Sequence, residues 1–188
     1  MPRKASTPGS RVIDTPPIVT LGDAFAPVNV TIRSGSSSKD VNTIVRLHRY
    51  VYEGEYHLDR SFARDVATRL AELRRGGWPG PREGLWIAEA DGKAVGSITL
   101  NDQGGGLGRL GHLVLTPETR GSGTGRRLVQ QVLETARAAG YERLELSTFS
   151  DLSAAGSLYR SVGFVNVSTE QAVRWGRAME WQVYELAL

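Results

Sequence analysis

A strand, a glycine-rich turn and a helix follow one another in the middle of the chain. Residues 110–115 form an apolar, strand-like run, and residues 120–125 read Arg-Gly-Ser-Gly-Thr-Gly. At such a junction the free N–H groups of the turn and the positive end of the helix dipole point to one place. The turn therefore predicts a site for a phosphate or pyrophosphate group. The helix after it is marked by apolar residues at helical spacing, namely Leu128, Val129, Val132, Leu133 and Ala136.

Length and composition indicate one soluble globular domain. The chain has 188 residues, of which 40% are hydrophobic and 23% charged. It contains no cysteine, which excludes disulfides, thiolate metal sites and cysteine nucleophiles and fits a cytoplasmic location. No apolar run approaches the roughly 18 residues of a membrane span. The net charge of +3 is small and the basic residues are scattered, so we expect no nucleic-acid partner. We also expect no membrane partner and no metal.

Two segments differ in character along the chain. Residues 1–26 are rich in Pro, Ser, Thr and Gly without periodicity, which predicts a disordered or weakly docked tail. Residues 27–188 form the predicted domain. Its patterns indicate a strand at 28–33, a helix capped by Ser38 or Asp40, a second helix starting near Ser61, and a hairpin turning at Asp91-Gly92. Further strands and helices alternate to the end, where we expect two short strands at 164–167 and 181–188.

The element order is β-α-α-β-β-β-α-β-α-β-β. It predicts an α/β (α+β) fold, with a single mixed, mostly antiparallel central sheet flanked by helices.

Three interpretations of the glycine turn remain open at this point. A nucleotide P-loop needs Lys and then Ser or Thr directly after its last glycine, where this chain has Arg126 and Arg127. A dinucleotide-binding turn needs G-x-G-x-x-G early in a βαβ unit, whereas this turn has G-x-G-x-G and comes late. The third interpretation is a glycine-rich helix start that binds nothing.

A second motif, in residues 155–164, gives the turn a family context. Together the two motifs resemble the GNAT superfamily of acetyl-CoA-dependent N-acetyltransferases. The segment Arg120–Gly125 fits the core signature [Q/R]-x-x-G-x-[G/A], and Leu113–Pro117 fits L-x-V-x-P with Leu115 in place of Val. The resemblance covers residues 28–188 and implies a GNAT-like fold. The second signature, A-x-x-L-Y-x-x-x-G-F, is met at Ala155, Leu158, Tyr159, Gly163 and Phe164.

The resemblance implies acetyl-CoA as co-substrate. The glycine loop would hold the coenzyme A pyrophosphate, and a strand end would pair with the pantetheine arm. That arm would enter a splayed gap between the strand that ends at Leu115 and the strand at 144–148. A bulge near Val114 or Leu115 would help to open this gap. Arg127 is a candidate for a phosphate contact or for a solvated helix face. The implied cofactor-binding residues are Val114, Leu115, Thr116, Arg120, Gly121, Ser122, Gly123, Thr124, Gly125, Arg126, Asp151 and Tyr159.

The resemblance also implies direct transfer of acetyl to a neutral amine. Tyr159 matches the general acid, and a buried helix aromatic is the alternative interpretation. The amide of Leu115 would donate to the thioester oxygen. Many members carry a glutamate base eight residues before the motif proline, where this chain has Arg109. The position two residues later, which is often polar in the family, is Gly111 here.

The general base that takes the proton of the amine must therefore be another residue. His112 should point to the opposite face of its strand by alternation. Glu55 is the first candidate and Glu53 the second, in a segment that lines the acceptor pocket in the family, although solvated helix-end acids are as good an interpretation. The family's asparagine seven residues before the tyrosine is Leu152 here. Four aromatic residues could wall the acceptor pocket or belong to the core: Tyr52, Tyr56, Trp175 and Trp181.

Three functions follow as hypotheses. The first is an N-acetyltransferase acting on a primary amine of a small molecule or peptide. The second is a catalytically silent acyl-CoA-binding sensor or scaffold module, suggested by the missing strand glutamate. The third is an interaction protein that captures partners through residues 1–26. A homodimer is left open, and the acceptor is not fixed by the fold.

Overall fold

The computed structural model describes residues 29–188. The predicted order of elements is confirmed, whereas the predicted tail lies outside the described residues. A 3₁₀ turn at Pro117–Thr119 precedes the glycine loop. The elements are β1 (Val30–Ser34), α1 (Ser38–Glu55), α2 (Arg60–Arg75), β2 (Gly84–Ala90), β3 (Lys93–Asp102), β4 (Leu107–Leu115), α3 (Thr124–Ala138), β5 (Arg143–Phe149), α4 (Ser153–Ser161), β6 (Val165–Arg174) and β7 (Arg177–Ala187).

The strands form one seven-stranded sheet in the order β1-β2-β3-β4-β5-β7-β6. Every neighbouring pair is antiparallel except β4 and β5, which are parallel. The expected mixed, mostly antiparallel sheet is therefore confirmed. The β4–β5 pairing covers only Leu107–Arg109 against Arg143–Glu145, so the two strands separate beyond that point. The expected splayed gap is present between their carboxyl ends.

Each face of the sheet has its own hydrophobic core. On one face α3 and α4 bury Leu128, Val132 and Tyr159 against strand residues such as Leu144. On the other face α1 and α2 bury residues such as Ile44 and Leu70 against their side of the sheet. Because helices cover both faces, the open gap between β4 and β5 lies between two packed layers.

Polar caps determine where the first two helices begin. Ser37, rather than Ser38 or Asp40, caps α1, and Asp40 is its partner in a capping box. Asp59 caps α2 through the Ser61 amide. By contrast, α3 begins at Gly123 with no side-chain cap and no acidic residue in its first turn.

The two final strands are longer than predicted and form a hairpin that turns at Trp175 and Gly176. Almost every residue of β6 is exposed, so no buried face marks it in the sequence. This edge strand is formed by its pairing with β7, which the local pattern does not reveal.

Candidate active site

Two cavities, each of about 300 Å³, lie along the gap between β4 and β5. The first, here called the loop cavity, lies against the glycine turn. The second, the aromatic cavity, lies under α1, α2 and the turn of the β6–β7 hairpin. They meet at four residues that line both: Tyr52, Leu113, Leu152 and Ala155.

The loop cavity gathers most of the predicted cofactor residues. Those that line it are Val114, Leu115, Arg120, Gly121, Gly123, Gly125 and Arg126. Gly121 and Gly123 have φ angles of +74° and +82°, which residues with a Cβ adopt only under strain. The glycines thus permit a tight turn whose backbone faces the cavity.

The loop is held from within by its hydroxyl groups. The Ser122 hydroxyl donates to the Thr119 carbonyl at 2.7 Å and lies 2.8 Å from the buried Thr124 hydroxyl. These two predicted cofactor residues therefore shape the loop through their side chains. The first N–H groups of α3 lack partners within the helix, as at every helix start. The Thr124 N–H makes a long contact of 3.4 Å with the Ser122 hydroxyl, and no acidic side chain of the first turn competes for the others. The turn fits a pyrophosphate dianion.

The backbone amide of Leu115 faces the gap from the edge of β4. The Thr116 N–H donates to the Val95 carbonyl on β3 at 2.8 Å. Because amides alternate in direction along a strand, the Leu115 N–H faces the opposite edge, toward the gap. Leu115 can therefore donate to a thioester oxygen, whereas the Thr116 amide is not available to pair with a pantetheine arm. Arg120 donates to the Leu115 carbonyl at 3.2 Å.

A β-bulge turns His112 into the site. Ser97 pairs with Val114 and Thr99 with Gly111, so Ile98 alone faces both His112 and Leu113. His112 has a φ of +49°, and it lines the aromatic cavity. The prediction that alternation points His112 away is wrong, because the extra residue breaks the alternation. The predicted bulge exists, two residues earlier than Val114.

Tyr159 lies on α4 at the wall of the aromatic cavity and is 5% exposed. Its ring contacts Phe164 and Tyr184 with centroid distances of 6.0 and 6.2 Å. Burial raises the pKa of its hydroxyl well above the ordinary value, and Tyr52 and Tyr184 raise it further. The phenol therefore remains protonated and can serve as a proton donor.

Two histidines line the same cavity with ring centroids 5.7 Å apart; His48 is buried and His112 is half-buried. The His48 Nδ1–H donates to the Ile44 carbonyl at 2.9 Å, which leaves its Nε2 as an acceptor. His112 Nδ1 lies 3.0 Å from the Thr99 hydroxyl. Burial lowers the pKa of His48 to about 4. Burial, together with the charges of His48 and Arg69, lowers the pKa of His112 to about 3, so both rings are neutral at neutral pH.

His48 lines the aromatic cavity and is a residue that the sequence analysis does not single out. The available signal was its i, i+4 spacing to Tyr52, a predicted wall residue, since that spacing places both side chains on one helix face. The two rings stack at 5.6 Å.

The remaining predicted residues are engaged elsewhere. Both carboxylate oxygens of Glu55 accept from Arg120, at 2.6 and 3.0 Å, and neither Glu55 nor Glu53 is among the residues that line the two cavities. The role of Glu55 as base stays a prediction, with the anchoring of Arg120 as a competing role. Asp151 forms an ion pair with Arg177. Arg126 lines the loop cavity and donates to the Ser161 hydroxyl at 3.0 Å.

Arg127 has a structural role instead of a phosphate contact. Its guanidinium donates to the Val30 carbonyl at 2.8 Å and so links α3 to the start of β1.

Aromatic side chains form much of the second cavity. Tyr52, Trp175 and Trp181 line it, as expected, whereas Tyr56 lines the loop cavity. Phe62 joins this wall, with its ring centroid 4.9 Å from that of Trp175. The Trp175 indole N–H donates to the Asp65 carboxylate at 2.8 Å, which fixes the tryptophan over α2.

Within residues 29–188, no three His, Asp or Glu side chains come together as a metal site. In the same range, no helix is long and apolar enough to cross a membrane.

Comparison with known proteins places this arrangement in a family. Residues 49–164 match the Acetyltransferase (GNAT) family. An uncharacterized N-acetyltransferase of Schizosaccharomyces pombe is 30% identical over 141 residues, covering 73% of this chain and 84% of that protein. An IAA acetyltransferase of Azospirillum brasilense is 32% identical over 141 residues, covering 73% and 86%.

The fold is also that of solved acetyltransferases. The structure of yncA, a putative acetyltransferase from Salmonella typhimurium with its cofactor acetyl-CoA, superposes with a TM-score of 0.68 at 20% identity, covering 85% of this chain and 94% of that one. The family match spans more than half of the chain and both motifs. The chain belongs to the GNAT family of acetyltransferases.

Proposed function

We propose that this protein transfers the acetyl group of acetyl-CoA directly to a primary amine of a small molecule or peptide. The observation that carries the proposal is the opening between β4 and β5. The glycine loop lies at one end of this gap, and the Leu115 amide faces the gap from the edge of β4. The buried Tyr159 phenol lies in the wall of the adjoining aromatic cavity.

The loop cavity is the proposed site of the acyl donor. The glycine loop and Arg126 hold the pyrophosphate, and the pantetheine arm runs along the exposed edge of β4. The Leu115 N–H donates to the thioester oxygen, where negative charge develops as the amine attacks. The carbonyl carbon then lies where the two cavities meet, so an amine in the aromatic cavity can reach it.

Tyr159 completes the transfer. The amine nitrogen forms a bond to the carbonyl carbon, and the carbon–sulfur bond breaks. The departing sulfur takes the proton of the Tyr159 hydroxyl and leaves as a thiol. The raised pKa of Tyr159 keeps that proton in place until the thiolate forms.

Two groups compete for the proton that the amine releases. Glu55 is a carboxylate near the glycine loop, but Arg120 holds it. His112 lines the cavity and is neutral. If Glu55 is the base, Glu55→Gln lowers kcat by roughly 10²-fold or more. If it only anchors Arg120, Glu55→Gln leaves kcat unchanged and raises the KM for acetyl-CoA less than about fivefold, as for the loss of a partly exposed ion pair.

The proposal is tested with purified protein, acetyl-CoA and a panel of primary amines, with free thiol as the readout and acetyl-CoA binding followed by calorimetry. Acceptor-dependent thiol release together with acetyl-CoA binding supports it. Binding without thiol release for any amine supports instead the silent acyl-CoA-binding module, which Arg109 in place of a strand glutamate favours. If the protein shows no acetyl-CoA binding and no thiol release, that result contradicts both functions.

A further inference from the structure

The charged groups that line the aromatic cavity leave a positive charge without an ion-pair partner. Asp65, the one carboxylate among them, accepts from the Trp175 indole. Arg109 is paired with Glu145 across the β4–β5 junction. Arg69, which is exposed at the cavity rim on α2, makes no ion pair with any residue in 29–188. An anionic group on the bound molecule would give Arg69 a partner.

A buried amide in the same cavity also lacks a partner. Asn101 is 3% exposed, and its Oδ1 makes no hydrogen bond within the described part of the chain. In the β3–β4 ladder the backbone of Asn101 lies opposite that of Arg109. The Asn101 residue lines the cavity together with Arg69. Buried polar groups are almost always hydrogen-bonded, so this amide is suited to a ligand. A primary amide can turn either its oxygen or its NH₂ group to that ligand, since the two ends have nearly the same shape.

These polar groups share a cavity with the proposed proton donor. Arg69, Asn101 and Tyr159 all line the same cavity of about 300 Å³. An anion bound by Arg69 would therefore share that cavity with the amine that is to be acetylated.

The rest of the wall fits a flat, apolar body. Phe62, Trp175 and Trp181 form a continuous aromatic surface, with successive centroid distances of 4.9 and 5.9 Å. Val66 and Leu113 extend it. Aromatic rings pack well against such a surface, in tilted or edge-to-face geometry.

We infer that the acceptor is a free amino acid with an aromatic or similarly flat, apolar side chain, whose carboxylate binds Arg69 and Asn101. This inference rests on the proposed function. An α-amino acid carries its amine and its carboxylate on one carbon, which matches a cavity of about 300 Å³ that is lined by both Arg69 and Tyr159. A peptide N-terminus has an amide in place of the carboxylate, and a polyamine would bring further positive charge beside Arg69.

The first test compares phenylalanine, phenylalaninamide and phenethylamine as acceptors. The inference predicts a kcat/KM for phenylalanine that is about 10- to 100-fold above those of the other two, the range expected for one charge-assisted contact. Arg69→Gln should remove this advantage, mainly through the KM for phenylalanine, and leave phenethylamine unchanged. Arg64→Gln is the matched control, because Arg64 is exposed on the same helix and does not line the cavity.

The second test needs no turnover. 3-Phenylpropanoate has the ring and the carboxylate but no amine, and its binding is measured by calorimetry on the wild type, Arg69→Gln and Arg64→Gln. Binding that only Arg69→Gln weakens supports the inference, even if no amine releases thiol and the proposed function fails. Equal turnover of the three acceptors, unaffected by Arg69→Gln, overturns the inference while the proposed function stands. Failure of 3-phenylpropanoate to bind the wild type also overturns it.

Discussion

Tyr159, in the cavity wall, is the residue on which the proposed chemistry depends most directly, since the proposal makes its hydroxyl the proton donor. Tyr159→Phe keeps the ring and its contacts but removes the proton. We expect kcat to fall by roughly 10²-fold, the contribution of a general acid, with acetyl-CoA affinity unchanged. Steady-state thiol release and calorimetry measure the two quantities.

Tyr50→Phe is the control for that substitution, because Tyr50 lies on α1 with 59% of its surface exposed. It should retain wild-type turnover. Equal turnover by Tyr159→Phe and the wild type would show that the buried phenol is only a packing residue.

The two cavity histidines, His48 and His112, make stability depend on pH. The pKa of each is near 6.5 in the unfolded chain but about 4 for His48 and about 3 for His112 in the folded protein. As the pH falls below 6.5 the unfolded state takes up protons first. The free energy of unfolding therefore decreases by up to about 1.4 kcal/mol per pH unit for each histidine, down to the folded pKa.

His48→Gln removes one of these two titrations. The slope of unfolding free energy against pH, from denaturant melts between pH 6.5 and pH 4, should become about half as steep. An unchanged slope would mean that His48 is protonated in the folded protein over this range.

At the scale of elements, the glycine loop and the start of α3 form one anion-binding unit. Gly123 has a φ of +82°, and a Cβ there meets no other atom within 4 Å, so the cost of a side chain is one of backbone conformation. Gly123→Ala should destabilise the fold by roughly 1–2 kcal/mol and weaken acetyl-CoA binding, as measured by thermal melts and calorimetry.

Gly54→Ala provides the matched comparison for the loop glycine. Gly54 lies within α1, where an added Cβ also meets nothing within 4 Å and no left-handed φ is required. This variant should gain roughly 0.5–1 kcal/mol, because alanine is the better helix former. If Gly123→Ala were equally stabilising and bound acetyl-CoA normally, the left-handed turn would not be needed.

Local pattern was sufficient to predict most elements and the cofactor end of the site. The order of strands and helices follows from periodicity and turn residues, and the two motifs led to the loop and to Tyr159. The contact between Glu55 and Arg120 could not be predicted, since 65 positions separate the residues and only packing brings them together. The bulge at His112 depends on which residue of β3 faces it, which is a property of two strands.

At the scale of the whole molecule, residues 30–188 contain a seven-stranded sheet with a hydrophobic core on each of its faces. The chain shortened to residues 27–188 should therefore keep the melting temperature and acetyl-CoA affinity of the full chain. A fall in either, measured by calorimetry, would show that the first 26 residues contribute to the domain. Loss of partner capture alone would instead support the interaction-protein hypothesis.

The central claim is that acetyl moves directly from acetyl-CoA to an amine in the cleft between β4 and β5. Acetyl-CoA labelled in its acetyl group with ¹³C, incubated with protein and amine, tests it by mass spectrometry of every component. The account predicts one labelled acetyl group on the amine for each thiol released, with unlabelled protein throughout. Label on the protein, or thiol release without labelled amine, would contradict it.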